Sequence, residues 1–171
     1  MGARKESEHT SMKNITTVER KSEREIVVTR TFNAPARIVF EAWTKPELMK
    51  RWWVPKSMDM SLLSCEMDVR VGGKYRFVFG QGPGMEFFGR YIEVIPHSRI
   101  VWTNEEGGED GSVTMVTFEE KAGKTLLVMS ELYPSKEALD AAGTGAADAT
   151  HETFTQLDEL LFELGASVGR S

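Results

Sequence analysis

The sequence contains very little cysteine and no long apolar run. Cys65 is the only cysteine among 171 residues, so an intrachain disulfide is impossible and a reducing, cytoplasmic location is expected. No apolar run approaches the roughly 18 residues that a membrane-spanning helix needs, and no signal-peptide pattern opens the chain. The sequence therefore predicts a protein without a membrane partner.

Basic charge and histidine are also scarce. The chain carries 21 basic and 26 acidic side chains, a net charge of -5, which disfavours nucleic acid as a partner because phosphates require a basic surface. His9, His97 and His151 do not have the spacing of a zinc triad. No nucleophile elbow, phosphate-binding loop or calcium loop is recognisable. We expect no metal and no cofactor, and an enzyme is the less favoured class.

Aromatic residues are concentrated between residues 29 and 55. This stretch holds Trp43 and the adjacent pair Trp52 and Trp53, three of the four tryptophans. Large aromatic side chains stabilise a protein only when they leave water, so the segment must cover something. Whether it covers a core or a ligand is the functional question.

The chain changes character near residue 24. Residues 1–23 are polar, charged and free of hydrophobic periodicity, which predicts a disordered tail. Residues 24–166 are expected to form one domain, and residues 167–171 a flexible C-terminus.

The domain begins with a strand and ends with a long helix. Ile26–Phe32 is a strand rich in β-branched residues, and two short helices follow, separated by Lys45 and Pro46. Six further strands with short connections predict an antiparallel meander. Ser135 is a candidate cap for another short helix, and Ala146–Leu164 has apolar residues at helical spacing.

A set of short motifs occurs in a characteristic order along residues 25–164. The motifs are Arg30–Pro35, Ala42–Glu47, Arg51–Pro55, Gly72–Phe77, Gly89–Pro96, Arg99–Thr103 and Gln156–Leu161. This order resembles the START-like (SRPBCC) helix-grip superfamily, also called birch-pollen-allergen-like. Within it, the chain is most similar to the subfamily of the C-terminal domain of the activator of the heat-shock protein 90 ATPase. The resemblance implies an α+β fold, in which a curved antiparallel sheet of six to seven strands wraps a long C-terminal helix and two short helices close one end.

The resemblance leaves several functions open, because one fold hosts many functions. Similar domains bind lipids, hormones or polyketides, cyclise polyketides, sequester antibiotics or regulate chaperones. The leading hypothesis is a binding module for a small hydrophobic or aromatic molecule, working as a monomer or weak homodimer. The alternatives are a co-chaperone-like stress protein and a cyclase or dehydratase. The eukaryotic chaperone activator has an additional N-terminal domain, which the short polar tail here cannot replace.

A curved sheet leaves space beside its helix, and such apolar concavities are default binding sites. Strand alternation and the helix pattern select a set of candidate ligand-binding residues, and the alternative is that the same side chains simply fill the core. The set comprises Trp43, Trp53, Phe77, Phe79, Phe88, Trp102, Met115, Met129, His151 and Phe154.

Arg30 and His151 are the candidates for chemistry. Arg30 shares a strand face with apolar residues, so its guanidinium would be buried and would need a carboxylate or ligand partner. Glu131, Glu86 and Asp68 are the candidate carboxylates; the alternatives are that Arg30 reaches the sheet edge or that the face is reversed. His151 could act as a general base inside the cavity, or it could be an ordinary half-exposed histidine.

Overall fold

An eight-stranded antiparallel sheet curves around one long helix in the computed structural model, which describes residues 16–58, 62–80, 86–105, 111–142 and 145–169. The strands are β1 (Thr17–Arg20), β2 (Glu25–Phe32), β3 (Leu62–Met67), β4 (Lys74–Phe79), β5 (Glu86–Ile95), β6 (Arg99–Thr103), β7 (Val113–Lys121) and β8 (Lys124–Leu132). Their order in the sheet is β1-β2-β8-β7-β6-β5-β4-β3. The predicted α+β class and the antiparallel meander are confirmed.

The predicted number of six to seven strands is wrong, because β1 adds an eighth strand. It lies within residues 1–23, the segment expected to be a disordered tail. Its residues pair antiparallel with Ile26–Thr29 of β2, whose edge would otherwise present unpaired backbone groups. Because β1 is a short edge strand with mostly exposed side chains, it lacks the apolar alternation that identifies a strand in sequence. Residues 1–15 lie outside the described part of the chain.

The described residues form four α-helices, one more than the two short helices and one long helix of the expected fold, and the additional one is the short helix predicted after Ser135. They are α1 (Ala36–Thr44), α2 (Pro46–Trp52), α3 (Lys136–Ala142) and α4 (Gly145–Gly169), with a short 3-10 helix at Lys56–Met58. The hydroxyl of Ser135 accepts a hydrogen bond from Ala138 N at 3.0 Å, so Ser135 caps α3 as the sequence predicts. The last helix begins one residue before Ala146 and extends past Leu164.

Helices α1 and α2 form a tight corner at one end of the sheet. Pro35 is the N-cap residue of α1, and Glu120 of β7 accepts a hydrogen bond from Ala36 N at 2.9 Å, which satisfies a free donor of the first turn. Pro46 occupies the start of α2, where its missing N–H costs nothing. Trp52 of α2 donates its indole N–H to Ala42 O of α1 at 2.9 Å. This hydrogen bond connects the two helices.

The core lies between the concave face of the sheet and α4. Phe154, Leu157 and Leu161 form the inward stripe of the helix, and all three are almost completely buried. Helix α4 packs against β2, α1 and α2, so it meets both the sheet and the corner. None of the described helices is long and apolar enough to cross a membrane.

Candidate functional site

A cavity of about 40 Å³ lies under α1 and α2, against strands β4, β5 and β6. Its lining is dominated by aromatic rings and has no charged side chain among the described residues. The lining residues are Trp43, Met49, Trp53, Tyr75, Phe77, Phe87, Tyr91, Trp102 and Asn104. A cavity that holds benzene measures roughly 150 Å³, whereas one water needs roughly 10–15 Å³. The space as it stands therefore has room for a few water-sized groups.

Two paired strands place four aromatic side chains on the cavity wall. Phe77 of β4 is directly opposite Phe87 of β5 in the register, and side chains at such positions lie on the same face. Two residues along, Tyr75 is opposite Gly89. A Cβ atom at Gly89 would lie 1.9 Å from Thr103 O and 2.9 Å from a ring carbon of Tyr75. Glycine is therefore required here for Tyr75 to pack against the sheet.

The segment of residues 53–57, here called the lid segment, contributes Trp53 to the cavity lining. Trp53 packs edge-on against Trp43 and Phe77, with ring centroids 5.9 and 5.7 Å apart. Gln156 of α4 donates to Trp52 O at 3.1 Å and to Val54 O at 2.9 Å. The same amide accepts from the N–H of Lys56 at 2.8 Å. One helix side chain thus fixes the backbone on both sides of the lid tryptophan.

A second side chain of α4 holds the end of the lid segment. Glu152 accepts hydrogen bonds from the backbone N–H of Ser57, at 2.9 Å, and from the Ser57 hydroxyl. These two donors lower the pKa of the Glu152 carboxyl below its ordinary value. The carboxylate form is therefore the one that binds the lid segment.

The polar end of the cavity is formed by Asn104, and both ends of its amide are occupied. Trp102 donates its indole N–H to Asn104 Oδ1 at 3.2 Å, and the hydroxyl of Tyr75 approaches the same oxygen at 3.2 Å while donating to Thr103 O at 2.7 Å. The amide nitrogen of Asn104 donates to Thr114 Oγ1 at 2.9 Å. Asn104 therefore orients the aromatic wall.

Tyr91 completes the wall as a neutral phenol. Its side chain is 5% exposed, and burial raises the pKa of its hydroxyl well above the usual value. Trp43 is 1% exposed, and its indole Nε1 has no hydrogen-bond partner within the described part of the chain. Near neutral pH the lining is uncharged, so it suits a neutral molecule.

The structure brings four of the candidate ligand-binding residues together around the cavity: Trp43, Trp53, Phe77 and Trp102. Two others face inward but lie in the core beside it. Phe154 packs edge-on against Phe32 with ring centroids 5.5 Å apart, and Met129 is a partly buried neighbour of the core. Phe79 ends β4, and its side chain lies outside the described residues.

Three candidates face away from the cavity. Phe88 is 37% exposed on the outer face of the sheet, because its neighbours Phe87 and Gly89 are the inward residues of β5. Met115 is also exposed, since Thr114 and Val116 on either side of it are the buried residues of β7. His151 is exposed on α4, where Thr150 and Phe154 form the buried side.

Five residues of the lining are not among those predicted from the sequence: Met49, Tyr75, Phe87, Tyr91 and Asn104. Two adjacent aromatic residues in β5 make its alternation ambiguous, and the inward phase becomes visible only when Gly89 and Tyr91 are counted with Phe87. The role of Asn104 has no local sequence signal, because two of its partners, Tyr75 and Thr114, come from the separate strands β4 and β7.

Arg30 is buried at 6% exposure on the inward face of β2, as the alternation predicts. Its partner is none of the three candidate carboxylates. Arg30 Nη2 lies 2.9 Å from Asp158 Oδ2 of α4, and Nη1 donates to Thr16 Oγ1 at 2.9 Å. Since Arg30 is engaged by Asp158 and His151 is exposed, the structure gives no common site for the cyclase or dehydratase mechanism that would use them.

Comparisons with known proteins agree with this architecture. The family model described as Activator of Hsp90 ATPase homolog 1-like protein matches residues 33–162. No curated protein matches the sequence significantly.

Among solved structures, a protein from Rhodobacter sphaeroides has a TM-score of 0.76 at 24% identity, with 87% of this chain and 99% of that chain covered. A protein from Nitrosomonas europaea has a TM-score of 0.74 at 24% identity, covering 86% and 99%. One from Staphylococcus epidermidis has a TM-score of 0.67 at 28% identity, covering 86% and 94%. At such identities the likeness concerns the fold.

Proposed function

This chain belongs to the Activator of Hsp90 ATPase homolog 1-like family, and we propose that it binds a small, neutral, largely apolar molecule in the cavity under Trp43 and Trp53. The family match confirms the START-like superfamily expected from the sequence motifs. The observation that carries the proposal is the uncharged, aromatic lining of a cavity with a single polar end. Ligand sites are typically apolar concavities with few polar groups that fix orientation.

The cavity must widen to admit an aromatic ring, because about 40 Å³ is well below the roughly 150 Å³ that accommodates benzene. Phe87 is the side chain that can provide this space. It lines the cavity and is nevertheless 42% exposed, so rotation of its ring into solvent adds the volume of a phenyl group. In this opening the strands and helices keep their positions, and the ring of Phe87 leaves the cavity wall by a change of rotamer.

Thermal unfolding in the presence of a library of neutral aromatic compounds tests this function. A ligand that binds only the native state raises the free energy of unfolding by about 2.7 kcal/mol when its concentration is a hundred times its dissociation constant. Phe87→Ala should change the affinity or the accepted ligand size, because it widens the cavity. Phe88→Ala removes the same ring from the outer face and should leave binding unchanged. A library without a hit, or equal effects of the two variants, would refute the proposal.

The family match supports a second candidate function, that of a co-chaperone-like protein acting on a chaperone ATPase. The outer face of the sheet offers exposed apolar side chains to such a partner, among them Phe88, Met115 and Leu126. The test is the ATPase rate of a purified Hsp90-type chaperone with and without this protein. Stimulation that Phe88→Ala reduces and Phe87→Ala does not would place the activity on the outer face, and no stimulation at saturation would exclude it.

A further inference from the structure

We propose that the molecule bound in the cavity carries a neutral hydrogen-bond acceptor that receives the indole N–H of Trp43. The inference rests on the proposed binding function and specifies the chemical class of the ligand. Trp43 lines the cavity, is 1% exposed, and its Nε1 is one of two buried polar side-chain atoms without a partner among the described residues. The other atom is Arg30 Nε, which belongs to the ion pair with Asp158.

Comparison with the other buried tryptophans shows that the free N–H of Trp43 is unusual in this protein. Trp52 donates to Ala42 O at 2.9 Å, and Trp102 donates to Asn104 Oδ1 at 3.2 Å. Buried tryptophans generally find such an acceptor. Around Trp43 the neighbours are aromatic rings, with centroids 4.7 to 6.3 Å away, and a ring face is only a weak acceptor.

Two of the remaining polar groups of the wall are engaged within the protein, and a further one is the hydroxyl of Tyr91 on β5. Both ends of the Asn104 amide are occupied by protein partners, and the hydroxyl of Tyr75 donates to Thr103 O. Trp43 therefore provides a donor without a partner among the described residues, on the helical side of the cavity.

The acceptor must be uncharged. No charged side chain lines the cavity in the part of the chain that the structure describes, and an unpaired carboxylate or phosphate is costly to bury in such surroundings. A ketone, ester, quinone or heteroaromatic nitrogen on a flat apolar molecule meets the requirement. The matching hydrocarbon fills the same space and leaves the N–H without a partner.

Two probes of nearly equal shape test the inference: acetophenone, which carries a carbonyl oxygen, and α-methylstyrene, which carries a methylene group in its place. Titration of the full chain is followed by ¹H–¹⁵N spectra of the tryptophan indole groups. Acetophenone should bind about fivefold to tenfold more tightly, the increment of one hydrogen bond, and should move the Trp43 indole proton downfield.

Replacement of Trp43 by 3-benzothienylalanine removes the N–H and keeps the bicyclic shape, so it assigns the resonance and tests the bond. It should abolish the preference for acetophenone and preserve binding of α-methylstyrene. The same replacement at Trp52, whose N–H bonds Ala42 O, is the matched control and should keep the preference.

The outcomes separate the two proposals. Equal affinity of the probes, or a preference that survives replacement at Trp43, overturns the role of Trp43 and leaves the binding function standing. Failure of both probes and of the neutral aromatic library overturns the binding function, and the inference falls with it.

Discussion

Arg30 and Asp158 join the sheet to the long helix through a 2.9 Å ion pair inside the protein. Arg30 is 6% exposed on β2, and the side chain of Asp158 is 23% exposed on α4. The guanidinium also contacts Thr16, which precedes β1, and lies 5.5 Å from the ring centre of Phe32. One side chain thus connects the edge strand region, the concave face and the helix.

Removal of Asp158 should therefore be strongly destabilising. Asp158→Ala leaves the Arg30 guanidinium buried without its counter-charge, and breaking a buried pair in this way costs about 3–5 kcal/mol. The free energy of unfolding, measured with urea, should fall by that amount. The double variant Arg30→Met with Asp158→Leu removes both charges and should recover most of the loss. A double variant as unstable as Asp158→Ala would show that the charge is not the cause.

The burial of Arg30 follows from sequence, whereas its partner does not. Alternation along β2 places Arg30 with Val28 and Phe32, because side-chain faces alternate strictly in a strand. Asp158 lies 128 positions away in the chain. It comes into contact with Arg30 only after the sheet has curved around α4. The curvature of the sheet cannot be read from the sequence pattern, so the pattern does not identify which carboxylate pairs with Arg30.

The same distinction explains which parts of the site were predictable. Trp43, Trp53, Phe77 and Trp102 follow from helix spacing and strand alternation, and they line the cavity. The inward choice between Phe87 and Phe88 depends on strand register, which an apolar pattern cannot specify when both residues are aromatic. Local patterns therefore predicted the strands and helices well, but predicted only part of the cavity lining, to which several of these elements contribute.

Gly89→Ala should disturb the cavity wall directly. The added Cβ would lie 1.9 Å from the Thr103 carbonyl oxygen, and backbone cannot move aside as a flexible side chain can. Overpacking of this kind costs about 1–3 kcal/mol or more. Urea unfolding should show this loss, together with a changed near-ultraviolet circular dichroism from displacement of Tyr75.

Gly165→Ala is the matched control for this substitution. A Cβ at Gly165 meets nothing within 4 Å, and the residue lies in α4, where alanine is favoured over glycine by about 0.5–1 kcal/mol. The control should stabilise the protein. Equal effects of the two substitutions would contradict the close approach of β5 and β6 at Gly89.

Gln156→Leu should loosen the lid segment. The substitution removes the donor to Trp52 O and Val54 O and the acceptor for Lys56 N. Leaving buried backbone groups unsatisfied costs about 1–3 kcal/mol, so urea unfolding should show a loss in this range.

The emission maximum of the tryptophan fluorescence should shift to longer wavelength in the same variant, since Trp53 becomes more exposed to water. Thr155→Ala alters an exposed neighbour whose hydroxyl bonds only within the helix, to His151 O, and should have little effect on either measurement. Unchanged fluorescence in Gln156→Leu would show that the lid segment is held by its aromatic contacts alone.

Cys65 should react slowly with thiol reagents in the folded protein. It lies on β3 opposite Phe77, and burial, partly offset by Lys50, raises the pKa of its thiol from 9.0 to about 11. Burial disfavours the thiolate, which is the reactive form. A rise of two pKa units lowers the thiolate fraction about a hundredfold below pH 9.

Modification of Cys65 by a disulfide reagent at about pH 8 should be slower by that factor than in the protein unfolded in urea, and the rate in the folded protein should rise about tenfold per pH unit. Equal rates in the folded and unfolded protein would mean that β3, the edge strand beside the cavity, opens freely in solution.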